Sequence, residues 1–412
     1  MFRPSIISLC CGAGLAALGY ESYFHTSLAI DNWWWAYLSH LANHSTTPIL
    51  FEDVGQNDVI QHVCALVANI RGVIAAPPCP TFSTANGLTP QQRALDPRGW
   101  VYVNVLDYVE HLQPDFLISE NVEAAKNSFQ FLVATARLER LGYNWDAWVL
   151  DAADFGVPQH RARLFLVAAK IGLPFPKCPL PTHGAESSSL LPYLTLGDAI
   201  GDLAEEESVA SGLENISRGR KRILSQVPPG GNYRCLPTNL LAQALDSVGW
   251  RKPNEQLCGR LDYSKVPGTL RTGPGCKRST FSIHPGYPFN SLQPDETVRF
   301  GNFRKTTFSQ PSLTLLTNPS RPASRNLLIR PEHTRCLSVL EYLRIQGIRT
   351  PFQLFGGLRD RYRLVGNGIP PLLMATVCEA VHRALYGKQA PPLAEPTLKS
   401  GLRLHFKQEG AE

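Results

Sequence analysis

The stretch "SIISLCCGAGLAALGY", residues 5–20, decides how this chain is read. With Arg3 ahead of it, it imitates a secretory leader, a basic start followed by an apolar run. Gly12, Gly14 and Gly19 interrupt that run, and no small-x-small cleavage site follows. A β-strand that ends in a glycine loop and opens a helix accounts for the same residues better. Glycine lets a backbone approach a ligand closely, and a helix start offers free N–H groups. On its own the loop is equally an ordinary tight turn, because it does not spell G-x-G-x-x-G.

Outward from this point, short apolar runs alternate with amphipathic segments. Strands are expected at 5–10, 26–30, 48–51, 72–76, 115–119, 145–150 and 163–169. Helices are expected at 14–20, 32–43, 57–69, 98–112 and 127–141. The alternation predicts an α/β fold, a mostly parallel sheet with helices on both faces. Strand-to-helix loops then gather at one sheet edge, where ligands bind. From about 171 the texture changes to the irregular, proline-rich "LPFPKCPLPTHG". Residues 205–305 lack long helical periodicity and carry the basic clusters "RGRKR" (218–222), "CKR" (276–278) and "FRK" (303–305). Regular pattern returns with "CLSVLEYLRIQG" from 336, and "LLMATVCEAVHRALY" (372–386) reads as a helix after "GNGIPP". The expected domains are 1–170, an irregular 171–308, a return to the first domain over 309–387, and a loose tail, 388–412.

Composition agrees with a folded chain: of 412 residues, 43% are hydrophobic and 18% charged, far from the disordered regime. A net charge of +6 permits a polyanionic partner without demanding one. The ten cysteines form no C-x-x-C pair and no zinc spacing, so unpaired thiols in a reducing compartment and no metal site are expected. No run of 18 consecutive apolar residues is present, and no membrane partner is expected.

Several residues carry chemistry. Asp31 in "LAIDNWWW" and Asp53 in "FEDVG" follow the second and third strands. Acids there can bind a nucleoside's ribose and adenine, or simply cap helices and turns. In "VIAAPPCPTFSTANG" (73–87), prolines bracket Cys79 and fix its backbone, a poor setting for an inert apolar filler. "DFLISENV" (115–122) places Glu120 and Asn121 at a strand end, where a carboxylate can move protons or cap a helix. "DFGVPQHRAR" (154–163) holds Gln159, Arg161 and Arg163. Arginines two apart on an extended segment point the same way, toward one ligand or along a charged edge.

In this order, the glycine loop, the two acids, Pro-Cys, Glu-Asn-Val, Gln-x-Arg-x-Arg and the distant "VGNGIPP" closely resemble the cytosine-C5 DNA methyltransferase family. The resemblance covers residues 5–170 and about 309–386. It implies a Rossmann-like methyltransferase fold, with a smaller target-recognition domain over 171–308, and S-adenosylmethionine (AdoMet) as cofactor. By position, Cys10, Gly12, Ala13, Gly14 and Leu15 wrap the cofactor. Asp31 meets its ribose and Asp53 its adenine, Asn32, Val54 and Pro78 belong to the same cofactor site, and Asn367 closes it. The resemblance makes Cys79 the nucleophile and sets Glu120 against the N3 and amino edge of cytosine. Arg163 falls to its O2, and Arg161 to Glu120 or a phosphate. Ser83, Arg98 in "DPRG" and Gln159 fall to DNA. The chain departs from the family at Cys10 (usually aromatic), Ser8 (usually acidic), Pro80 (usually Gln) and Leu15 (commonly Gly).

The implied activity is methyl transfer to C5 of a flipped cytosine in a specific double-stranded DNA sequence. The protein would act as a monomer in a prokaryotic cytoplasm, alone or beside a cognate restriction endonuclease. The alternatives are a transfer-RNA methyltransferase on the same scaffold and a non-catalytic DNA-binding regulator. Electropositive surroundings are expected to favour the Cys79 thiolate.

Overall fold

The computed structural model describes residues 3–82, 88–185, 188–212 and 336–387, with short pieces at 304–305, 309–312, 314–315 and 328–329. Seven strands make the main sheet: β1 (Ser5–Leu9), β2 (His25–Asp31), β3 (Ile49–Phe51), β4 (Gly72–Ala75), β5 (Phe116–Val122), β6 (Tyr143–Asp151) and β7 (Ala162–Lys170). Their order is β3-β2-β1-β4-β5-β7-β6. β1 and β4 are short, almost wholly buried runs, the pattern of strands covered on both faces. Leu9 lies opposite Ile30 on one side and Ala75 on the other. All pairings are parallel except those of β7, which runs antiparallel to both β5 and β6. The chain leaves β1 for β2 and β3 on one side and returns to β4 on the other. That reversal opens a crevice beyond the carboxyl ends of β1 and β4. The glycine loop follows β1 and the Cys79 loop follows β4, so the topology brings both to this crevice.

Helices α1 (Ala17–Tyr20), α2 (Trp34–Asn43), α3 (Asn57–Leu66), α4 (Pro90–Leu95), α5 (Pro97–Leu112) and α6 (Phe129–Arg140) connect the strands. Two apolar layers flank the sheet. Ile7, Leu9, Val73 and Leu117 point into the layer shared with α3, α5 and α6. Ile6, Ile74, Phe116 and Ile118 point into the opposite one, with Ala17 and Tyr20. The alternation follows from the period of two along each strand.

α7 (Leu196–Ile200), α8 (Glu205–Ala210), α9 (Val339–Ile345), α10 (Leu358–Asn367) and α11 (Pro371–Tyr386) complete the α-helices among the described residues. α11 buries Leu373, Met374, Val377 and Val381 in the second layer, so a segment from the far end of the chain covers the face that β1 and β4 share. The stretch Leu358–Tyr386 has the length and mean hydropathy of a membrane span. It breaks at Gly368-Ile369-Pro370 into two helices, and the inner side of α11 is core.

Several elements differ from expectation. The first helix spans only Ala17–Tyr20, shorter than the expected 14–20, and Gly14 at its expected start has a positive φ, which a helix does not tolerate. α4 stands where no helix is expected, and Thr89 and Gln92 form a full capping box at its start. α7 carries the same signature in Thr195 and Asp198.

The chain divides into two compact units. The first comprises Met1–Ala204, Ser309–Thr317 and Val339–Glu412; the second comprises Glu205–Phe308 and Asn318–Ser338. Residues 171–204 thus fall in the first unit. Within the second, Arg304–Lys305 pairs in parallel with Leu328–Ile329. The clusters "RGRKR" and "CKR" and the tail 388–412 lie outside the described residues.

Candidate active site

Cys79 owes its position to anchors on both sides. Upstream, the Asn121 side chain at the end of β5 donates from Nδ2 to the Pro77 carbonyl at 3.1 Å. Downstream, the Phe82 N–H donates to the Cys79 carbonyl at 3.0 Å, and Phe82 and Thr81 are buried. The proline brackets supply stiffness between these anchors. Cys79 itself is half-buried.

Glu120 points from β5 into the same place and is buried. Arg163, at the start of β7, sets Nε 3.1 Å from Glu120 Oε1, both partners screened from water. Glu120 and the two arginines act electrostatically on the Cys79 thiol. Burial pushes that thiol up, Glu120 adds to the rise, and Arg163 and Arg161 oppose it. The expectation of a favoured thiolate therefore does not hold for the free chain: burial and the carboxylate outweigh the guanidinium groups. Burial likewise pushes Glu120 up, against the pull of Arg163 and Arg161. A carboxyl raised in this way can carry a proton to a ring nitrogen.

The second half of the crevice is built on β1 and β2. Asp31 ends β2 nine-tenths buried and takes one backbone bond on each oxygen. Gly12 N–H donates to Oδ2 at 2.8 Å, and Trp33 N–H to Oδ1 at 2.9 Å. Burial raises Asp31, while the two amides and the nearby Arg363 lower it. Arg363 lies 4.5 Å from the centroid of the Trp33 ring, a cation–π arrangement. A Cβ added to Gly12 would meet nothing within 4 Å, whereas one on Gly14 would strike the rings of His40 and His44. The loop thus rests on protein at Gly14 and faces open space at Gly12, next to a buried carboxylate with unused lone pairs. That arrangement fits a ligand carrying hydroxyls. Asp53 closes a local turn, accepting from Gly55 N–H at 2.9 Å, and Val54 beside it is buried.

A model of the C-5 cytosine-specific DNA methylases matches residues 4–383. The chain belongs to this family. It is 27% identical over 384 residues to the type II methyltransferase M1.HphI of Haemophilus parahaemolyticus, covering 91% of this chain and 86% of that one. It is 26% identical to M.AgeI of Thalassovita gelatinovora, over 92% and 99%. The solved structure of Spodoptera frugiperda DNMT2 superposes with a TM-score of 0.54 at 16% identity, over 92% of this chain and 99% of that one. This last likeness is one of fold. The protein is thus a DNA cytosine-5 methyltransferase with a Rossmann-like fold.

Within this methylase, the Gln-x-Arg-x-Arg residues separate by task. Arg163 faces Glu120. Arg161 is fully buried, and its guanidinium instead grips the segment between α10 and α11. Nη2 donates to the carbonyls of Gly366 at 2.7 Å and Gly368 at 3.0 Å, and Nη1 to Leu315 at 3.4 Å. Its contact set is structural, although its charge reaches Glu120 and Cys79. Gln159 is also completely buried. Its Oε1 accepts from Leu315 N–H at 3.0 Å and its Nε2 donates to Gln346 Oε1 at 3.3 Å. Gln346 in turn donates to the carbonyls of Val365 and Gly368. Gln159 thus bridges Leu315 and Gln346 within the protein, and a buried carboxamide bonded at both ends acts as a strut.

The other expected site residues fall as follows. Ala13 and Leu15 are buried, and Leu15 packs where a Cβ on Gly368 would sit, so they present backbone alone to the crevice. Cys10 is half-buried at φ 54°, a left-handed conformation that costs a non-glycine residue about 1–2 kcal/mol. Burial, and then Asp31, push its thiol well up. Asn32, Pro78 and Asn367 are exposed. Arg98 is exposed and bonded to Asp96, the N-cap of α5, at 2.7 Å; that pairing holds Asp96 down at about 2. Ser83 lies outside the described residues. Sequence reasoning missed Gln346, which has no local signal, and the hold of Asn121 on Pro77.

Proposed function

We propose that this methylase transfers the AdoMet methyl group to C5 of a flipped cytosine through a covalent bond at Cys79. The observation that carries the reading is the meeting of an anchored Cys79 with the buried Glu120–Arg163 pair at the switch point of the sheet. AdoMet, when bound, supplies an electrophilic methyl group; Asp31, the Gly12 N–H region, Asp53 and Asn367 would hold it.

The chain's own residues do the rest. The Cys79 thiol releases its proton to water as its sulfur adds to C6, and the ring electrons move toward N3, which takes a proton from Glu120. The raised Glu120 carboxyl suits that donation. Arg163 holds Glu120 in place and offers its remaining N–H groups to O2 as charge develops there. C5, now nucleophilic, would take the methyl group as that group's bond to the cofactor sulfur breaks, the demethylated cofactor being the leaving group. The C5 hydrogen then leaves to a base as a proton, N3 returns its proton to Glu120, and the C6–S bond breaks to release Cys79. A thiol raised in the free chain would be activated only when a bound base brings Glu120 into proton transfer.

The second unit, with its basic clusters in the 205–305 segment, would contact phosphates and read the target sequence. The names of its type II relatives favour a place in restriction–modification, with double-stranded DNA as substrate in the cell's DNA-containing compartment. The test is transfer from isotopically labelled AdoMet to duplex DNA and to transfer RNA, with the product nucleosides separated by mass. Label in 5-methyldeoxycytidine supports the reading; label confined to RNA, or none, refutes it.

A further inference from the structure

Beneath the glycine loop lies a histidine pair that the chemistry at Cys79 does not use. His40, in the last turn of α2, and His44, just past its end, stack with centroids 4.7 Å apart. Both are buried. His44 Nε2 lies 2.9 Å from the Gly14 carbonyl oxygen, and its Nδ1 lies 3.1 Å from Glu21 Oε1. Thr47 also donates to that carboxylate, at 3.4 Å. A Cβ on Gly14 would come within 2.4 Å of the His44 ring and 2.8 Å of His40 Nδ1, so the loop lies directly on the two rings.

A carbonyl oxygen only accepts, so Nε2 of His44 carries a hydrogen. Nδ1 faces the Glu21 carboxylate at 3.1 Å. The ring thereby ties the turn after α1 to the loop after β1. Among the described residues, His40 makes no hydrogen bond through either ring nitrogen. Burial, and then His44, push it down to about 3, so it stays neutral and serves as a flat support behind His44.

We propose that His44 is a positioning residue for the cofactor. Braced by Glu21, it fixes the Gly14 carbonyl and with it the loop shape that aims the Gly12 N–H at Asp31. It touches no reacting atom. The link to binding rests on the cofactor reading above; the loop-holding role does not.

The test compares His44→Leu with His44→Gln, whose amide can still donate to the Gly14 carbonyl. In cofactor-free protein, hydrogen exchange is read at Gly14 N–H, bonded to Cys11, and Ala17 N–H, bonded to Gly14. Exchange at both should rise at least about tenfold in the Leu variant, with β4 and β5 amides unchanged, and stay within about threefold of the parent in the Gln variant. Calorimetric titration with AdoMet should then show about tenfold weaker binding for Leu, equivalent to ~1.4 kcal/mol, and near-parent binding for Gln, with kcat at saturating cofactor unchanged. Should the Leu variant not fold, Glu21→Ala, at a partly exposed site, frees Nδ1 and should loosen the same two amides. Unchanged loop exchange in a folded Leu variant or in Glu21→Ala, or a kcat loss without weaker binding, overturns the proposal. A parent that fails to bind AdoMet would refute the cofactor reading while leaving the exchange result to decide the role of His44.

Discussion

Arg161 and Arg163 stand two residues apart on one extended segment, and replacing each by Met should produce opposite phenotypes. Arg161 donates two short bonds, at 2.7 and 3.0 Å, and one long one, at 3.4 Å, to backbone carbonyls. Each short bond from a charged donor is worth about 1.5–3 kcal/mol. Gly368 keeps a partner in Gln346 at 3.2 Å, whereas the Gly366 carbonyl loses its guanidinium. Relief of the buried charge gives back part of the loss. The balance predicts that Arg161→Met destabilises the protein by about 2–4 kcal/mol. Arg163→Met removes the partner of Glu120, but that carboxyl is already raised by burial and can take up a proton instead of remaining a bare charge. Its stability loss should be small, and its kcat should fall by about 10²-fold or more, as for loss of one charge-stabilising donor. Urea unfolding followed by circular dichroism, set beside initial rates at saturating substrates, separates the two. An Arg161→Met protein within about 0.5 kcal/mol of the parent, with the rate defect of Arg163→Met, would refute the division of labour.

Other outcomes follow from the same geometry. Asp31→Ala should weaken AdoMet binding by about 1–3 kcal/mol, read by calorimetry; unchanged affinity removes Asp31 from the cofactor site. Glu120→Gln should make Cys79 alkylate faster with iodoacetamide at a given pH. Removing the negative neighbour that raises the thiol shifts its titration downward, whereas Arg163→Met should shift it upward. A shift of the opposite sign in either variant contradicts the electrostatics. Asn121→Ala should release Pro77 and lower kcat by about tenfold or more through misplacement of the Cys79 loop, with AdoMet affinity preserved; a parental kcat would show that the prolines suffice.

Much of the catalytic unit is legible in the sequence because its signals are local. β1 and β4 read as buried strands, and the loops after them carry glycine and proline whose backbone consequences are fixed by chemistry. Asp31, Asp53 and Glu120 are found simply as acids at strand ends. Long-range partnership is not legible in this way. Nothing near Gln159 announces that its amide will meet Leu315 and Gln346, across 156 and 187 residues. Nor does the pattern Arg-x-Arg say that one guanidinium turns to a carboxylate and the other to backbone carbonyls. The first helix is shorter than the apolar run suggests, because an apolar run looks helical until the left-handed Gly14 takes its start. The favoured thiolate failed for a related reason: motif reading counts charges, whereas the thiol also responds to its loss of water.

The nucleophile is the centre of the mechanism, and a trapped adduct addresses it most directly. Fluorine in place of the C5 hydrogen blocks the final elimination, so the C6–S bond should persist. The protein would be incubated with AdoMet and a mixed-sequence duplex in which every cytosine carries 5-fluorine, then digested and mapped by mass. A denaturation-resistant adduct on the peptide containing Cys79, absent in Cys79→Ser, is the predicted result. An adduct on any other cysteine, or methylation at the parental rate by Cys79→Ser, would contradict it.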